Sequence, residues 1–167
     1  MPLSRDEFRD AMARLGAAVN IITSAGPAGR AGVTASAVCS VTDDPPTLLL
    51  CLNRSSSGHA LFKANGVICV NTLPARQKEL SDVFSGRDGM TGEQRFAFGT
   101  WTTLVTGAPV LEEAAVSFDC RIVDVVEKGT HSVMFAEVEA VRQGEPGRAL
   151  IWYGRGYHPV GPETDAA

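Results

Sequence analysis

The sequence predicts a mainly β protein whose strands form a closed or half-closed barrel with a few helices packed on it. Strand-like segments recur along the chain, turns rich in Gly, Pro and Asp separate them, and two later segments alternate apolar with polar residues. These strands are too many for a small α/β sandwich. The predicted strands span residues 18–24, 31–42, 47–53, 66–73, 115–127, 130–143 and 148–158.

The length and composition are those of one globular domain. The chain has 167 residues, of which 44% are hydrophobic and 20% are charged. A chain of this size buries roughly 70% of its unfolded surface, which is enough for a core without disulfides. We expect a single domain over residues 1–167, with a folded core at 6–160 and a flexible polar tail at 161–167.

The charge pattern excludes two classes of partner. Fifteen Lys and Arg against nineteen Asp and Glu give a net charge of -4, and no segment gathers the basic residues as nucleic-acid binding requires. The longest apolar run, 48–52, is far shorter than the roughly 20 residues that cross a bilayer. Residues 1–10 are too acidic for a signal or transit peptide. We therefore expect a cytoplasmic protein that binds neither nucleic acid nor membrane.

The first predicted element is a helix over residues 4–14. Ser4 and Glu7 have the spacing of a capping box, and Leu3 can pack on Phe8 across the helix start. Gly16 ends the helix. One helical face is apolar and consists of Phe8, Ala11, Met12 and Leu15.

The remaining predicted elements follow from turn residues and alternation. Two more helices are expected at 57–65 and 74–84, and the Gly-rich, charged segment 85–92 is expected to be a mobile surface loop. The strands at 115–127 and 130–143 each alternate apolar with polar residues, as in sheets with one buried face. Because Gly129 separates them, we expect a β-hairpin.

The cysteine and histidine positions argue against a metal site. The four cysteines form no CxxC pair, and the three histidines lie far apart in the sequence. Each cysteine is flanked by apolar strand-like residues, so we expect all four to be buried and chemically inert. The cysteines are Cys39, Cys51, Cys69 and Cys120.

Familiar catalytic signatures are absent, so the candidates for a site are less specific. The chain has no GxGxxG, GxxxxGK[ST], GxSxG or HExxH motif. Gly26, Gly29 and Gly32 lie between two predicted strands, which favours a hairpin turn. The segment 32–40 (GVTASAVCS) concentrates small side chains on an apolar strand. Such residues permit a flat ligand to approach the backbone, or else the close packing of a barrel strand.

A second cluster, 53–58 (NRSSSG), places three hydroxyls and an arginine before a predicted helix. Unpaired N–H groups and the partial positive charge of a helix N-terminus suit a phosphate. An ordinary serine cap in a solvated loop explains the same pattern equally well.

Two late segments also carry polar side chains near strand ends. These are 129–131 (GTH) and 153–158 (YGRGYH). Each alone is typical of a surface histidine or a packed arginine. Combined with the small-residue strand and the anion site, they suit an aromatic cofactor that bears a phosphate.

Taken in order, six segments resemble the short-chain NAD(P)H:flavin oxidoreductases, the reductase components of two-component flavin monooxygenases. The resemblance covers about residues 6–160, and two groups in the family look nearest: the FMN reductases of pyrimidine utilisation and the reductases of 4-hydroxyphenylacetate 3-monooxygenase. The segments are GAAVNIIT (16–23), AGVTASAVCSVTDDPPTLLLCLNRSSS (31–57), VICVNTL (67–73), SFDCRIVDV (117–125), GTHSVMFAEV (129–138) and YGRGYHP (153–159).

The resemblance implies a fold and a set of site residues. The fold is an FMN-binding split barrel that dimerises, with the flavin near the dimer interface. His131 is implied to seat the nicotinamide nucleotide, and no residue is assigned as catalytic. The implied flavin-binding residues are Thr34, Ser36, Ala37, Val38, Cys39 and Ser40 at the isoalloxazine ring, Asn53, Ser55, Ser56 and Ser57 at the ribityl chain and phosphate, and Arg155, Tyr157 and His158 closing the site.

The resemblance also implies the reaction. Hydride passes from NADH, or NADPH, to FMN, or FAD or riboflavin, and the reduced flavin supplies a partner monooxygenase. The family motif often has Asp where Thr130 stands here, which leaves the preference between NADH and NADPH open. Whether the flavin is a bound group or a diffusing substrate is also open. Two alternatives also stay open: a flavin-binding split-barrel protein without enzymatic turnover, and an enzyme related to pyridoxamine-phosphate oxidase.

Overall fold

A computed structural model describes residues 1–87 and 89–162. Asp88, in the predicted loop 85–92, and residues 163–167 of the predicted tail lie outside the described residues. Among the described residues no helix is long and apolar enough to cross a membrane. The helices are α1 (Arg5–Met12), α2 (His59–Asn65) and α3 (Lys78–Phe84), with 3-10 turns at Ala75–Gln77 and Gln94–Ala97.

The described chain is dominated by strands. Their bounds are β1 (Ala17–Ala18), β2 (Asn20–Gly26), β3 (Gly29–Ala35), β4 (Val38–Asp43), β5 (Pro46–Asn53), β6 (Val67–Thr72), β7 (Trp101–Thr103), β8 (Pro109–Leu111), β9 (Val116–Lys128), β10 (His131–Gln143), β11 (Ala149–Tyr153) and β12 (Gly156–Val160).

A seven-stranded antiparallel sheet forms the body of the molecule, in the order β3-β2-β6-β9-β10-β5-β4. Strands β3 and β4 are its two ends and are not hydrogen-bonded to each other, so the sheet does not close. The half-closed form of the predicted barrel and the mainly β class are confirmed. Strands β1, β11 and β12 form a second sheet, and β7 pairs with β8.

The break between β3 and β4 lies where the sequence predicted one continuous strand, 31–42. Strand β3 ends at Ala35 and β4 begins at Val38, and each pairs with a different neighbour, β2 or β5. Ser36 and Ala37 therefore connect the two ends of the open sheet. The uninterrupted run of small and apolar residues gave no sign that the chain leaves the sheet here.

Three other predictions need correction. The predicted strand 148–158 is two strands, because the Gly154–Arg155 turn reverses the chain with positive φ at both residues. The short strands β7 and β8 were not predicted, since three residues are too few to show alternation. Helix α2 begins at His59 and not at Ser57. The β2–β3 hairpin, in which Gly26 pairs with Gly29, and the β9–β10 hairpin are confirmed.

The interior contains two main apolar clusters. One fills the sheet around Ile22, Phe62 and Met134, and the other packs α3 and the 94–97 turn against Leu73 and Leu150. Helix α1 contributes no buried residue, although its capping box between Ser4 and Glu7 is formed as predicted. Its predicted apolar face is thus exposed.

The prediction of four buried cysteines is wrong for Cys39, which is exposed. Cys39 lies on β4, the end strand of the open sheet, where every residue after Val38 is exposed. Cys51 is half-buried, and Cys69 and Cys120 are buried. Burial raises the pKa of the Cys120 thiol to about 12 and raises that of Cys69 even further.

Candidate functional site

A cavity of about 210 Å³ opens where β3 runs out of the sheet. Two aromatic side chains from the small sheet, Trp152 and Tyr157, form one wall, with ring centroids 4.9 Å apart in an edge-to-face contact. The end of β3 forms the facing wall with small side chains. Aromatic side chains opposite small ones are a combination that suits a flat ring. Its other lining residues are Val19, Thr34, Ala35, Ser36, Ser85 and Arg87.

Hydrogen bonds to α3 fix both walls of this aromatic cavity. The Thr34 hydroxyl donates to the Ser81 carbonyl at 2.6 Å. The Tyr157 hydroxyl lies 2.7 Å from Ser81 Oγ and donates to Asp82 Oδ1 at 3.1 Å. Burial raises the pKa of Tyr157, so its hydroxyl stays protonated at neutral pH. One helix thus positions the small-residue strand and the aromatic wall together.

A second cavity, of about 500 Å³, adjoins the first, and Ser85 lines both. It contains the hydroxyl-bearing side chains of Ser56, Ser57 and Thr91, and it brings together the serine loop after β5 and the segment after α3. Arg95 is its charged lining residue among those described. The cavity is lined by Val33, Ser56, Ser57, Ser85, Gly86, Gly89, Met90, Thr91, Gly92 and Arg95. The two cavities form one groove. We call the first cavity its aromatic half and the second cavity its polar half.

Described residues of the predicted loop 85–92 line the polar half, namely Ser85, Gly86 and 89–92, which the sequence did not indicate. Gly86 has φ of +79° and lies so close to Arg95 that a Cβ there would be 3.0 Å from Nη2. The positive φ favours glycine at this position. Gly32 is required for a steric reason, because a Cβ would lie 2.5 Å from Phe84 Cε1.

The sequence did not indicate Arg95 as a site residue. It follows Glu93 and Gln94 and precedes Phe96, in a stretch without strand or helix periodicity. Its burial comes from the packing of the 94–97 turn on Phe84 and Trp101 through Phe96, with ring centroids 5.3 Å and 5.0 Å away. Only the tertiary fold reveals this contact, so no local signal could have identified the residue.

The predicted helix N-terminal anion site is not formed as expected. Helix α2 has seven residues, its N-cap is Gly58, and no side chain caps it. The His59 N–H donates to the Ser56 carbonyl, so one of the N–H groups at the start of the helix is not available to an anion. Ser55 donates through its N–H and its hydroxyl to Asn53 Oδ1, both at 2.9 Å, in a local turn. Of the predicted phosphate ligands, Ser56 and Ser57 therefore line the groove, whereas Asn53 and Ser55 do not.

Arg54 is also directed away from the groove. Its guanidinium donates to the Gly129 carbonyl and lies 3.8 Å from Glu127. Lys63 donates to the same carboxylate at 2.7 Å, and these contacts lower the pKa of Glu127. The positive charge of Arg54 is thus compensated on the outer surface of the serine loop.

The structure places the other predicted site residues as follows. Thr34, Ser36 and Tyr157 line the aromatic half. Val38, Cys39 and Ser40 lie on β4, and Ala37 lies in the link before it; none of these four lines either cavity. His131 pairs with Asn53 across β10 and β5 and lies beside the serine loop without lining either cavity.

Arg155 and His158 are not brought to the groove in this chain. Arg155 forms an ion pair with Asp10 of α1 and lines a separate cavity with Tyr153. The His158 ring packs edge-on against Tyr153 and its Nε2 lies 3.0 Å from the Tyr153 carbonyl. Among the described residues, no group of three His, Cys, Asp or Glu side chains is arranged to hold a metal ion.

Comparison with known proteins places these features in a family. A family model described as a flavin reductase like domain matches residues 12–161. A curated protein of Ancylobacter novellus, named FMN reductase (NADH) RutF, is 59% identical over 158 residues, which are 95% of this chain and 86% of the relative. Its namesake from Stutzerimonas stutzeri is 56% identical over 157 residues, covering 94% of this chain and 89% of the relative.

Solved structures show the same similarity. An inferred flavin reductase from Haemophilus somnus superposes with a TM-score of 0.90 at 43% identity, covering 95% of this chain and all 100% of its own. Nitrilotriacetate monooxygenase component B from Mycobacterium thermoresistibile superposes with a TM-score of 0.86 at 26% identity. The match covers 98% of this chain and 90% of the relative. BorF, the flavin reductase component of a bacterial two-component tryptophan halogenase, shares the fold with a TM-score of 0.88 at 21% identity. The match covers 96% of this chain and 100% of BorF.

Proposed function

The chain belongs to the flavin reductase like domain family, and on that basis we propose that it is an NADH-dependent flavin reductase that transfers hydride from NADH to FMN. The observation that carries the proposal is the two-part groove, which joins an aromatic half to a polar half lined by hydroxyls and a buried arginine. The high identity to proteins named FMN reductase (NADH) supports the same ligands.

The residues of the groove fit a flavin mononucleotide. Thr34, Ala35 and Ser36 carry small side chains, so a flat ring can approach the backbone at the open end of the sheet. Trp152 and Tyr157 supply the facing apolar wall. In the polar half, the Ser56 and Ser57 hydroxyls supply hydrogen-bond donors that suit a phosphate.

The protein contributes binding and orientation to this reaction. Flavin and reduced nicotinamide themselves supply the hydride acceptor and donor when they are bound. The Thr34 and Tyr157 hydrogen bonds to α3 hold the two walls of the aromatic half at a fixed separation. Fixing a stacked pair of rings and excluding water lowers the barrier by several kcal/mol without any protein nucleophile. The absence of a catalytic signature from the sequence agrees with this role.

We also propose that His131 helps to seat the nicotinamide nucleotide. It lies beside the serine loop, where Arg54 N–H donates to the Thr130 carbonyl, and its ring Nδ1 lies 2.9 Å from the Thr130 hydroxyl. Its half-buried ring is therefore held at the edge of the loop that carries Ser56 and Ser57. A nucleotide entering over this loop would reach the flavin from the solvent side.

A partner monooxygenase is the natural recipient of the reduced flavin. The structural relative from Mycobacterium thermoresistibile is named as a component of a monooxygenase. The groove is open to solvent on its polar side, where Ser57, Thr91 and Gly89 are exposed. Because NADH is a cytoplasmic reductant and the four cysteines are free thiols, we place the reaction in the cytoplasm.

A homodimer accounts for the exposed apolar face of α1. Leu3, Phe8, Met12 and Leu15 are between 46% and 69% exposed, although the helix is capped and ordered. Contiguous exposed apolar surface is typical of an interaction site, and a second copy would cover it. Sedimentation equilibrium should give twice the monomer mass of 17.6 kDa, and a stable monomer at micromolar concentration would contradict the proposal.

The activity is tested by following NADH absorbance with purified protein and added flavin. We expect rapid NADH oxidation with FMN and slower oxidation with riboflavin or FAD, and NADPH should be a poorer donor. A rate no faster than the uncatalysed reaction would contradict the proposal. Tight FMN binding without turnover would instead identify a flavin-binding protein without reductase activity.

A further inference from the structure

His59, the first residue of α2, is hydrogen-bonded to a buried serine near the start of β10. Its Nε2 lies 2.7 Å from Ser132 Oγ, and the Ser132 hydroxyl donates to Glu127 Oε2 at 2.8 Å. Ser132 is 0% exposed, whereas His59 is half-buried. None of the three side chains lines either half of the groove, so ligand binding as described so far makes no use of this hydrogen-bonded chain.

The carboxylate sets the direction of both hydrogen bonds. Hydrogen bonds from Lys63 and Ser132 lower the pKa of Glu127, so Glu127 is ionised at neutral pH and only accepts. The Ser132 hydrogen therefore points to Glu127, and the Ser132 oxygen accepts from His59 Nε2–H. Neutral His59 then carries its proton on Nε2, and a second proton on Nδ1 leaves this bond in place. The link consequently persists in both protonation states of the imidazole.

The linked serine lies next to an exposed hairpin end. Residues 126–130, at the turn between β9 and β10, are all exposed, and Gly129 in the turn has φ of +56°. A segment with so few buried contacts opens readily. Ser132 is fully buried two residues after this segment, so a hydrogen bond to its hydroxyl anchors the hairpin end to α2.

His131 lies between the exposed turn and the buried Ser132. Successive side chains of a strand point to opposite faces, so the bond from His59 holds Ser132 on one face of β10 and thereby fixes His131 on the other. His131 pairs with Asn53, the last residue of β5 before the serine loop. The position of the His131 ring beside that loop therefore depends on how firmly α2 holds the strand.

We propose that His59 is a positioning residue for the nicotinamide nucleotide, because through Ser132 it holds the β9–β10 turn so that His131 stands beside the serine loop. The inference rests on the proposed function, in which His131 seats that nucleotide. His59 lines neither cavity, so it acts through His131 and not by contact with a ligand. The loss of His59 should therefore cost no more NADH affinity than the loss of His131 does.

The primary test compares His59→Ala, His131→Ala and the double variant in steady-state kinetics at saturating FMN. His59→Ala should raise the KM for NADH about threefold, as His131→Ala does, and should leave the Kd for FMN within about twofold. In the His131→Ala background the same change should have no further effect on KM. Lower stability with an unchanged KM, or an equal increase in KM in both backgrounds, would overturn the proposal.

A matched pair of amides keeps a polar side chain at the same position. Gln carries its amide nitrogen at the reach of the imidazole Nε2, whereas the side chain of Asn is one bond shorter. His59→Gln should therefore keep the KM for NADH near the wild-type value, and His59→Asn should raise it about threefold. Equal KM values in these two variants would contradict the positioning role, and the comparison does not depend on the folding of His59→Ala.

Lys63→Gln is the control on the same helix. Lys63, one turn after His59, donates to the same carboxylate at 2.7 Å, but from an exposed position where an ion pair contributes little. This variant should leave the KM for NADH unchanged. NADH oxidation by the wild-type protein without any dependence of KM on His59 would overturn the positioning role and leave the proposed function standing, whereas a wild-type protein that does not oxidise NADH would overturn both.

Discussion

Asn71 and Arg95 are both buried polar side chains, but only Asn71 has its hydrogen bonds filled by the protein. Asn71 is 0% exposed; its Nδ2 donates to the Ile21 carbonyl at 3.1 Å, and its Oδ1 accepts from Leu111 N–H at 2.8 Å and from Ser117 Oγ at 2.9 Å. Arg95 has an unpartnered Nε and no described counter-charge. A filled cluster indicates a structural role, whereas an unfilled one beside a cavity indicates a ligand site.

The position of Asn71 explains its role. Asn71 lies on β6. Its hydrogen bonds connect this strand to Ile21 on β2, to Leu111 on β8 and to Ser117 on β9. Nearby, Asp119 accepts hydrogen bonds from the Thr106 N–H and hydroxyl. These contacts fasten the short β7–β8 hairpin to the large sheet. The two buried groups should therefore respond to mutation in opposite ways.

The largest expected effect is the loss of stability in Asn71→Leu. The change leaves the Leu111 N–H and the Ser117 hydroxyl without their acceptor, and each such group costs about 1–3 kcal/mol, so we expect a total near 3 kcal/mol. Urea denaturation measures the free energy of unfolding. The ratio of FMN to riboflavin affinity should stay unchanged at temperatures where the variant is folded.

Asn65→Ala is the control for this prediction. Asn65 also makes several hydrogen bonds, to Ala28, Ser24 and Gly29, but it is only half-buried. Its replacement should cost about 1 kcal/mol, because water can reach the groups left behind. Equal losses in the two variants would show that burial of the Asn71 cluster has no special importance.

The polar half of the groove should show the reverse pattern in a Ser56→Ala, Ser57→Ala double variant. Removing two hydroxyl donors is expected to raise the Kd for FMN about tenfold and to leave riboflavin affinity and stability nearly unchanged. Ser55→Ala is the matched control, because the Ser55 hydroxyl donates to Asn53 and does not line the cavity. Isothermal titration with both flavins makes the comparison, and an equal effect of all three serines would contradict the assignment.

Alkaline pH should weaken the filled cluster selectively. The Cys69 thiol donates to Asn71 Oδ1 at 3.4 Å, and burial raises its pKa above the ordinary value of 9.0. The folded state then keeps a proton that the unfolded state releases, so this stabilisation is full below pH 9 and is lost as the pH rises toward the folded pKa. At pH 9.5 the loss is about 0.8 kcal/mol for this thiol.

Denaturation of two variants at pH 8 and pH 9.5 isolates this contribution. The decrease in stability should be smaller in Cys69→Ala than in wild type by that amount. Cys39→Ala, at the exposed cysteine on β4, should lose as much stability as wild type. A decrease that is the same in all three proteins would exclude the Cys69 thiol as its source.

The smallest expected effects concern the two histidines that the family resemblance placed at the site. His131→Ala should leave flavin affinity within about twofold and raise the KM for NADH about threefold, a loss that corresponds to one weak contact. His158→Ala should change neither quantity, because His158 packs on Tyr153 outside the groove. Steady-state kinetics with FMN as acceptor measures both, and a change in KM for His158→Ala but not for His131→Ala would reverse the assignment.

Local sequence signals predicted the elements that depend on local physics. The Ser4–Glu7 capping box, the Gly26–Gly29 turn and the β9–β10 hairpin all involve residues near each other in the chain. The break at Ser36–Ala37 was missed, because strands β3 and β4 lie at opposite ends of the sheet and only the strand order separates them. The exposure of Cys39 follows from the same strand order.

The candidate site shows the same limit. Ser56 and Ser57 were identified from composition, and Thr34, Ser36 and Tyr157 from the family resemblance, and all five line the groove. Trp152 and Arg95 were missed. Trp152 reaches the groove through its pairing with Tyr157 across β11 and β12, and Arg95 is buried by aromatic contacts of its neighbour. Long-range packing of this kind leaves no periodic pattern in the sequence.

A crystal structure of the protein soaked or crystallised with FMN would show whether the groove binds the flavin. We expect the ring to lie between the end of β3 and the Trp152–Tyr157 wall, with the phosphate within hydrogen-bond distance of Arg95 and of Ser56 or Ser57. Electron density for the FMN phosphate in another cavity, or in solvent with Arg95 still unpaired, would contradict it.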